Sequence, residues 1–134
     1  GIDTGDILVV RSFPISRKDT VYDLFQRSNR LGLELIKEHL LDIATGKITS
    51  QRQDAVCQRA GIVATTYRRK DVLQLKAVRG TLNPEEIWNR ARAFDFPGHE
   101  PAYVETPHGR VHLAMSDLGE NGPGKGAWLW KRVA

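Results

Sequence analysis

Cysteine is nearly absent from this sequence. Its single thiol, Cys57, excludes an internal disulfide framework and a cysteine-rich zinc site. Long apolar runs are also missing: no window approaches the ~18 uninterrupted apolar residues that argue for a membrane span. The opening residues, Gly1-Ile2-Asp3-Thr4-Gly5-Asp6, carry neither a charged n-region nor an apolar h-region, so they do not read as a secretory signal. Both features fit a reducing cytoplasm. Aromatics make up only 7% of the chain, without the aromatic–basic repeat that stacks single-stranded bases. No sign of charge dominates, since 20 Lys+Arg against 16 Asp+Glu leave a net +4. Such a balance suits an anionic small molecule or a phosphate-bearing substrate as well as nucleic acid.

What is present describes one globular domain: 134 residues, 40% hydrophobic and 27% charged. Residues Asp6 to Ile15 read as a strand. Ile7, Leu8, Val9 and Val10 run without polar alternation, which predicts a strand covered on both faces. Pro14 removes a backbone donor and places the far end at a sheet edge or outside the sheet.

The strongest periodic signal follows. Asp19 or Thr20 caps a helix, and Asp23 adds negative charge to its first turn. Val21, Leu24, Phe25, Ser28, Leu31 and Leu35 mark one face; Leu33, Ile36, Leu40 and Ile43 mark a second. Two apolar stripes predict a long helix buried over much of its circumference. Gly46 is the predicted stop, giving about 26 residues and a length of about 39 Å. Gly32, in its middle, costs about 1 kcal/mol relative to alanine and suggests a close backbone approach or a bend.

Between Lys47 and Gly80 the pattern weakens to a loop with short irregular pieces, including a possible short strand from Ile48 to Gln53. At Asn83-Pro84-Glu85-Glu86 the cap, the first-turn proline and the acidic residues all point to a helix start. Ile87, Ala91 and Phe94 share a face, and Pro97-Gly98 ends it. Ala102 to Glu105 and Arg110 to Met115 read as strands joined by a Pro107-His108-Gly109 turn. The glycine-rich stretch 119–126 reads as a loop, and Ala127-Trp128-Leu129-Trp130 as a final strand.

The residues that could carry chemistry are few. Asp3 and Asp6 flank Gly5 just before the first strand. On the residues alone, a glycine turn explains them. The Tyr67-Arg68-Arg69-Lys70 cluster suits phosphate groups, as on a nucleotide-sugar or a tRNA end, but on the residues alone a solvated basic loop is the favoured reading. His39, His99, His108 and His112 lack metal-ligand spacing and read as surface or packing residues. Cys57 lies in a polar stretch without a fixed basic partner and reads as a spectator.

From Ile2 to Leu8 the sequence resembles the formyltransferases that use 10-formyltetrahydrofolate, a family that includes methionyl-tRNA formyltransferase and the amino-sugar N-formyltransferases. The resemblance continues in order. Phe13-Pro14-Ile15 and Asp19-Thr20 are similar to the family's strand-to-helix junction. Leu31-Gly32-Leu33-Glu34-Leu35 and Thr45-Gly46-Lys47 are similar to its next helix and that helix's end. Ala64-Thr65-Thr66-Tyr67 and Arg90-Ala91-Arg92-Ala93-Phe94 resemble later landmarks. Each piece is short; their collinearity over residues 1–115 carries the resemblance.

That resemblance implies an α/β fold, the C-terminal part of a Rossmann-like catalytic domain with a long buried helix and a C-terminal β-hairpin. It implies residues 1–98 as the catalytic-domain portion and 99–134 as a hairpin tail, and a homodimer built through the hairpin. The family's active site joins an asparagine, a histidine two residues later and an aspartate, and Asp3 matches the aspartate. No Asn-x-His occurs in this sequence, so the resemblance places those two residues ahead of Gly1. It also implies 10-formyltetrahydrofolate as formyl donor and a primary amine as acceptor; Tyr67, Arg68 and Arg69 of the basic cluster are the candidate substrate contacts on their own chemistry. Gly5 would then allow tight backbone approach.

Two departures lean toward an amino-sugar acceptor. Lys70 to Leu75 stands where the tRNA enzymes typically carry Glu-Asp-Gly…Asp-Trp. Asp95-Phe96-Pro97-Gly98 stands where they carry Asn-Pro-Trp-Pro. Beyond Met115 too little chain remains for their additional β-barrel domain, which makes nucleic acid the weaker candidate. A third reading is a non-catalytic module for dimerisation or docking. For this chain in isolation, no formyl transfer is expected.

Overall fold

The computed structural model describes residues 4–63, 65–80 and 83–115. In chain order its elements are α1 (Val21–Ala44), α2 (Gln53–Ala60), α3 (Arg69–Gln74), β1 (Ala77–Val78), α4 (Pro84–Phe94), β2 (Ala102–Thr106) and β3 (Gly109–Leu113). They divide into two compact units. One comprises Gly1–Pro14 and Arg27–Thr66, the other Ile15–Gln26 and Tyr67–Ala134. Among the described residues no helix is long and apolar enough to cross a membrane.

Among the described residues the buried core lies in the second unit. There β1 pairs parallel with β2, Ala77 opposite Tyr103, and β2 pairs antiparallel with β3, from Ala102 opposite Leu113 to Thr106 opposite Gly109. The sheet order is β1-β2-β3. Pro107 and His108 connect β2 to β3, and the Thr106 hydroxyl donates to the Gly109 carbonyl at 2.7 Å. Helix α4 joins the two parallel strands and covers them. Its start follows from sequence: the Asn83 side chain accepts from the Glu85 N–H at 2.9 Å, and Pro84 occupies the first turn, where its missing donor costs no hydrogen bond. Ile87, Trp88 and Ala91 are buried on it, and Val78, Ala102 and Leu113 complete the core from the sheet. Ala91 and Ala102 are wholly buried. Side chains this small let a helix and a sheet approach closely.

The segment before α1 is tied to α4. The Trp88 indole N–H donates to the Arg17 carbonyl at 3.1 Å, the Arg92 guanidinium donates to the Asp19 carbonyl at 3.3 Å, and Arg17 forms an ion pair with Glu85. Thr20 then caps α1 reciprocally: its hydroxyl accepts from the Asp23 N–H at 3.2 Å, and the Asp23 carboxylate accepts from the Thr20 N–H at 2.8 Å. At the other end the Lys47 N–H reaches the Asp42 carbonyl at 2.8 Å and Gly46 takes a positive φ of 70°, a left-handed stop that glycine adopts without steric cost.

Several expectations are corrected. Helix α1 forms, with 24 residues, but none of them is buried. In the first unit Leu33, Ile36 and Leu40 are each more than half exposed. Two apolar stripes need a layer of structure on each side. Among its described residues this unit supplies only α2 and a single strand bridge. Gly32 meets no atom within 4 Å of where a Cβ would stand, so no close approach occurs there, and Gly5 is equally open.

The run Ile7–Val10 is not a strand covered on both faces. Only Ile7 pairs, antiparallel with Gln51 through two hydrogen bonds of 2.8 Å, and Leu8 and Val10 are exposed. A β run without a neighbouring ladder cannot satisfy its backbone as sheet. The stretch 47–80, expected to be irregular, holds α2, α3 and β1. The expected second hairpin strand ends at Leu113 rather than Met115. The loop at 119–126 and the strand expected around Trp128 and Trp130 lie outside the described residues.

Candidate functional site

Residues of the second unit alone form an open pocket of about 430 Å³. Its wall is apolar where Val72, Leu73, Phe94 and Phe96 face it. Phe96 is fixed by edge-on contacts with Tyr22 and Phe25, at ring-centroid distances of 5.2 and 5.3 Å, and it meets His99 edge-on at 5.2 Å.

Charge enters the pocket from three residues. The Lys76 side chain is only 12% exposed. Its ammonium donates to the Glu100 carbonyl at 2.7 Å, lies 3.8 Å from a Glu100 carboxylate oxygen, and sits over the Phe94 ring at 5.9 Å. These contacts fix a cation that water reaches poorly. The Glu100 carboxylate also accepts from Arg110 at 3.0 Å and lies 3.8 Å from the His112 imidazole. Arg110 in turn stacks over Tyr103 at 4.2 Å. The third charge, Arg69, lines the pocket and forms no ion pair with any described residue.

Of the three candidate substrate contacts, Arg69 alone lines this pocket. Tyr67 is 69% exposed, and Arg68 precedes α3, where its backbone N–H donates to the Asp71 carboxylate at 3.1 Å. Asp3 lies outside the described residues. Its neighbour Asp6 accepts from the Ser50 hydroxyl at 3.0 Å. Lys76 and Glu100 are not read as site residues from sequence, Phe96 is read only as part of a departure from the tRNA enzymes, and His99 as a surface or packing residue. Nothing local marks them, because they come from separate connections that only the sheet brings together.

Asp95 and Glu38 are shifted from the ordinary carboxyl range in opposite directions. Partial burial pushes the Asp95 carboxyl up, and the Asp23 carboxylate pushes it further. A proton held more tightly by the folded chain favours the fold below the ordinary carboxylate pKa of about 4. That contribution is lost as pH rises through the raised value. Asp95→Asn is therefore expected to stabilise the chain at neutral pH and to leave acid stability nearly unchanged. Urea denaturation at pH 7 and pH 4 checks this; equal effects at both would reject it. In the first unit the sign is opposite. A hydrogen bond from Arg11, helped by its charge, holds the Glu38 carboxyl below its usual range, so this contribution is present above the ordinary pKa and fades on acidification.

No family profile matches the chain. Individual proteins do. Over 99 residues, 73% of this chain, it is 33% identical to the methionyl-tRNA formyltransferases of Herminiimonas arsenicoxydans and Geobacter sulfurreducens. It spans 29% of the length of each. Among solved structures it is similar to a 4-N formyltransferase from Francisella tularensis, with a TM-score of 0.68 and 19% identity, over 85% of this chain and 46% of that one. A sugar N-formyltransferase from Shewanella gives a TM-score of 0.62 and 20% identity, over 85% of this chain and 45% of that one.

Proposed function

We propose, from the premise that the chain is a partial homologue of the formyltransferases, that it is part of an enzyme moving a formyl group from 10-formyltetrahydrofolate to a primary amine. The observation that carries this reading is the collinear match over 99 residues. The acceptor proposed is a nucleotide-linked amino-sugar. The support is the pair of sequence departures at Lys70–Leu75 and Asp95–Gly98, with an apolar pocket that presents Arg69 and Lys76. A second reading, methionyl-tRNA as acceptor, has the 33%-identical relatives on its side.

In this reading Asp3 is the carboxylate that orients and charge-stabilises a histidine, or helps take a proton from the attacking amine. The asparagine and histidine beside it come from other parts of the protein. They supply donors to the oxyanion that forms at the formyl carbon. The folate donor delivers the one-carbon unit. A small-molecule amine and a second copy of the chain, met through the β2–β3 pair, are the partners proposed.

The test is an acceptor screen with the complete protein and 10-formyltetrahydrofolate. Formylation of a nucleotide-linked amino-sugar is expected. Turnover of methionyl-tRNA with silence on every amino-sugar would reverse the two readings, and no transfer to any amine would end both. The 134-residue chain alone is expected to show no turnover.

A further inference from the structure

The geometry points to Ser50 as a positioning residue for the Asp3 carboxylate: together with Gln51 it fixes the segment into which the Asp3 turn runs. The inference rests on the formyltransferase reading for what Asp3 does, and goes beyond it in naming what holds the turn. Between Asp3 and Asp6 in the chain lies Gly5, where a Cβ would meet no atom within 4 Å. A glycine link in open space has wide conformational freedom and does not orient its neighbours by itself. On the downstream side the restraint enters at Asp6 and Ile7, within the first unit.

The contacts there come from the connection between α1 and α2. The Ser50 hydroxyl donates to the Asp6 carboxylate at 3.0 Å. Ile7 and Gln51 exchange both backbone hydrogen bonds at 2.8 Å. The Gln51 side-chain carbonyl accepts from the Arg59 guanidinium, which ties this bridge to α2. The neighbouring Arg52 guanidinium is engaged by Asp54 through bonds of 2.7 and 3.2 Å, which leaves the Asp6 carboxylate to the Ser50 hydroxyl. Further along the segment, Arg11 donates to Glu38 of α1 at 2.6 and 3.3 Å, so the run after the turn is held at its far end as well. A carboxylate that handles a proton must be kept close to its productive geometry, and loosening it lowers rate more than binding.

Kinetics of the complete protein, with 10-formyltetrahydrofolate and the amine that the acceptor screen shows it turns over, test the assignment. Ser50→Ala is expected to lower kcat about tenfold and leave KM for the amine unchanged. Ser50→Thr keeps a hydroxyl and is expected to restore most of the rate. In an Asp3→Asn background, Ser50→Ala is expected to cost nothing further, because the group it positions has lost its charge. Independently of activity, hydrogen exchange at the Ile7 amide is expected to quicken about tenfold in Ser50→Ala while circular dichroism shows the fold retained. Full kcat in Ser50→Ala, the same fractional loss in the Asp3→Asn background, or unchanged Ile7 exchange would each overturn the inference. A complete protein inactive on every amine would end the formyl-transfer reading, and the role of Asp3 with it. The exchange measurement would still decide whether Ser50 holds this segment, so the two failures are told apart.

Discussion

Replacing Trp88 with alanine is expected to destabilise the second unit by about 3–5 kcal/mol, the usual cost of deleting a large buried aromatic. Trp88 is 1% exposed, the most voluminous of the fully buried side chains. It is buried on α4, and its indole N–H donates to the Arg17 carbonyl of the segment before α1. Truncation would leave a cavity and an unpaired carbonyl together. Trp88→Phe separates the two effects: it keeps most of the apolar body, loses the donor, and should cost about 1–3 kcal/mol. Urea denaturation followed by far-ultraviolet circular dichroism gives both numbers. A loss of less than about 1 kcal/mol for the alanine variant would show that Trp88 does not anchor the segment before α1 to α4.

Asp3→Asn in the complete protein is expected to lower kcat by about 10²–10⁴, the range for removing one member of a proton-handling set. KM for the amine should change little, since asparagine keeps the size of the side chain and gives up its charge. If the carboxylate acts through a neighbouring histidine, the pH profile should change as well, with the basic limb of the kcat curve displaced. Asp3→Glu, which restores the charge at a different reach, should recover part of the rate. An unchanged kcat in Asp3→Asn would remove the carboxylate from the mechanism. A rate lost with no recovery in Asp3→Glu and with the pH profile unaltered would make Asp3 a structural residue of its turn.

The elements legible in the sequence are those held by contacts a few residues apart. Asn83-Pro84 and the Ile87–Ala91 spacing specify where α4 starts and which face it buries. Thr20 with Asp23, and Gly46, bound α1 within the predicted limits. The alternation around Pro107-His108 pairs β2 with β3 in the expected antiparallel sense. Helices α2 and α3 were missed because they are short, at 8 and 6 residues, and bury no side chain. Without a buried stripe there is no period to read.

Burial did not follow pattern in the same way. Residues Ile7–Val10 and the stripes of α1 are apolar enough for a core, and the described residues leave Leu8, Val10, Leu33, Ile36 and Leu40 exposed. Apolar periodicity states that a face needs cover; it does not state what covers it. For the candidate site, Arg69 was legible as part of a basic cluster. Its pairing with Lys76, Phe96, His99 and Glu100 was not, because those residues join it through the tertiary arrangement of β1, α4 and the turn before β2.

The sequence by itself determined the caps, the helix limits, the hairpin turn and the likeness to formyltransferases, since each depends on neighbours in the chain or on an ordered series of short motifs. Only the tertiary structure decided that the buried core of the described residues lies in the second unit, that Leu33, Ile36 and Leu40 of α1 stand exposed, and that one arginine of the basic cluster meets an aromatic pocket. The reason is physical: hydrogen bonds at helix ends and turns close over a few residues, whereas burial and pocket formation need surfaces brought together from distant parts of the chain.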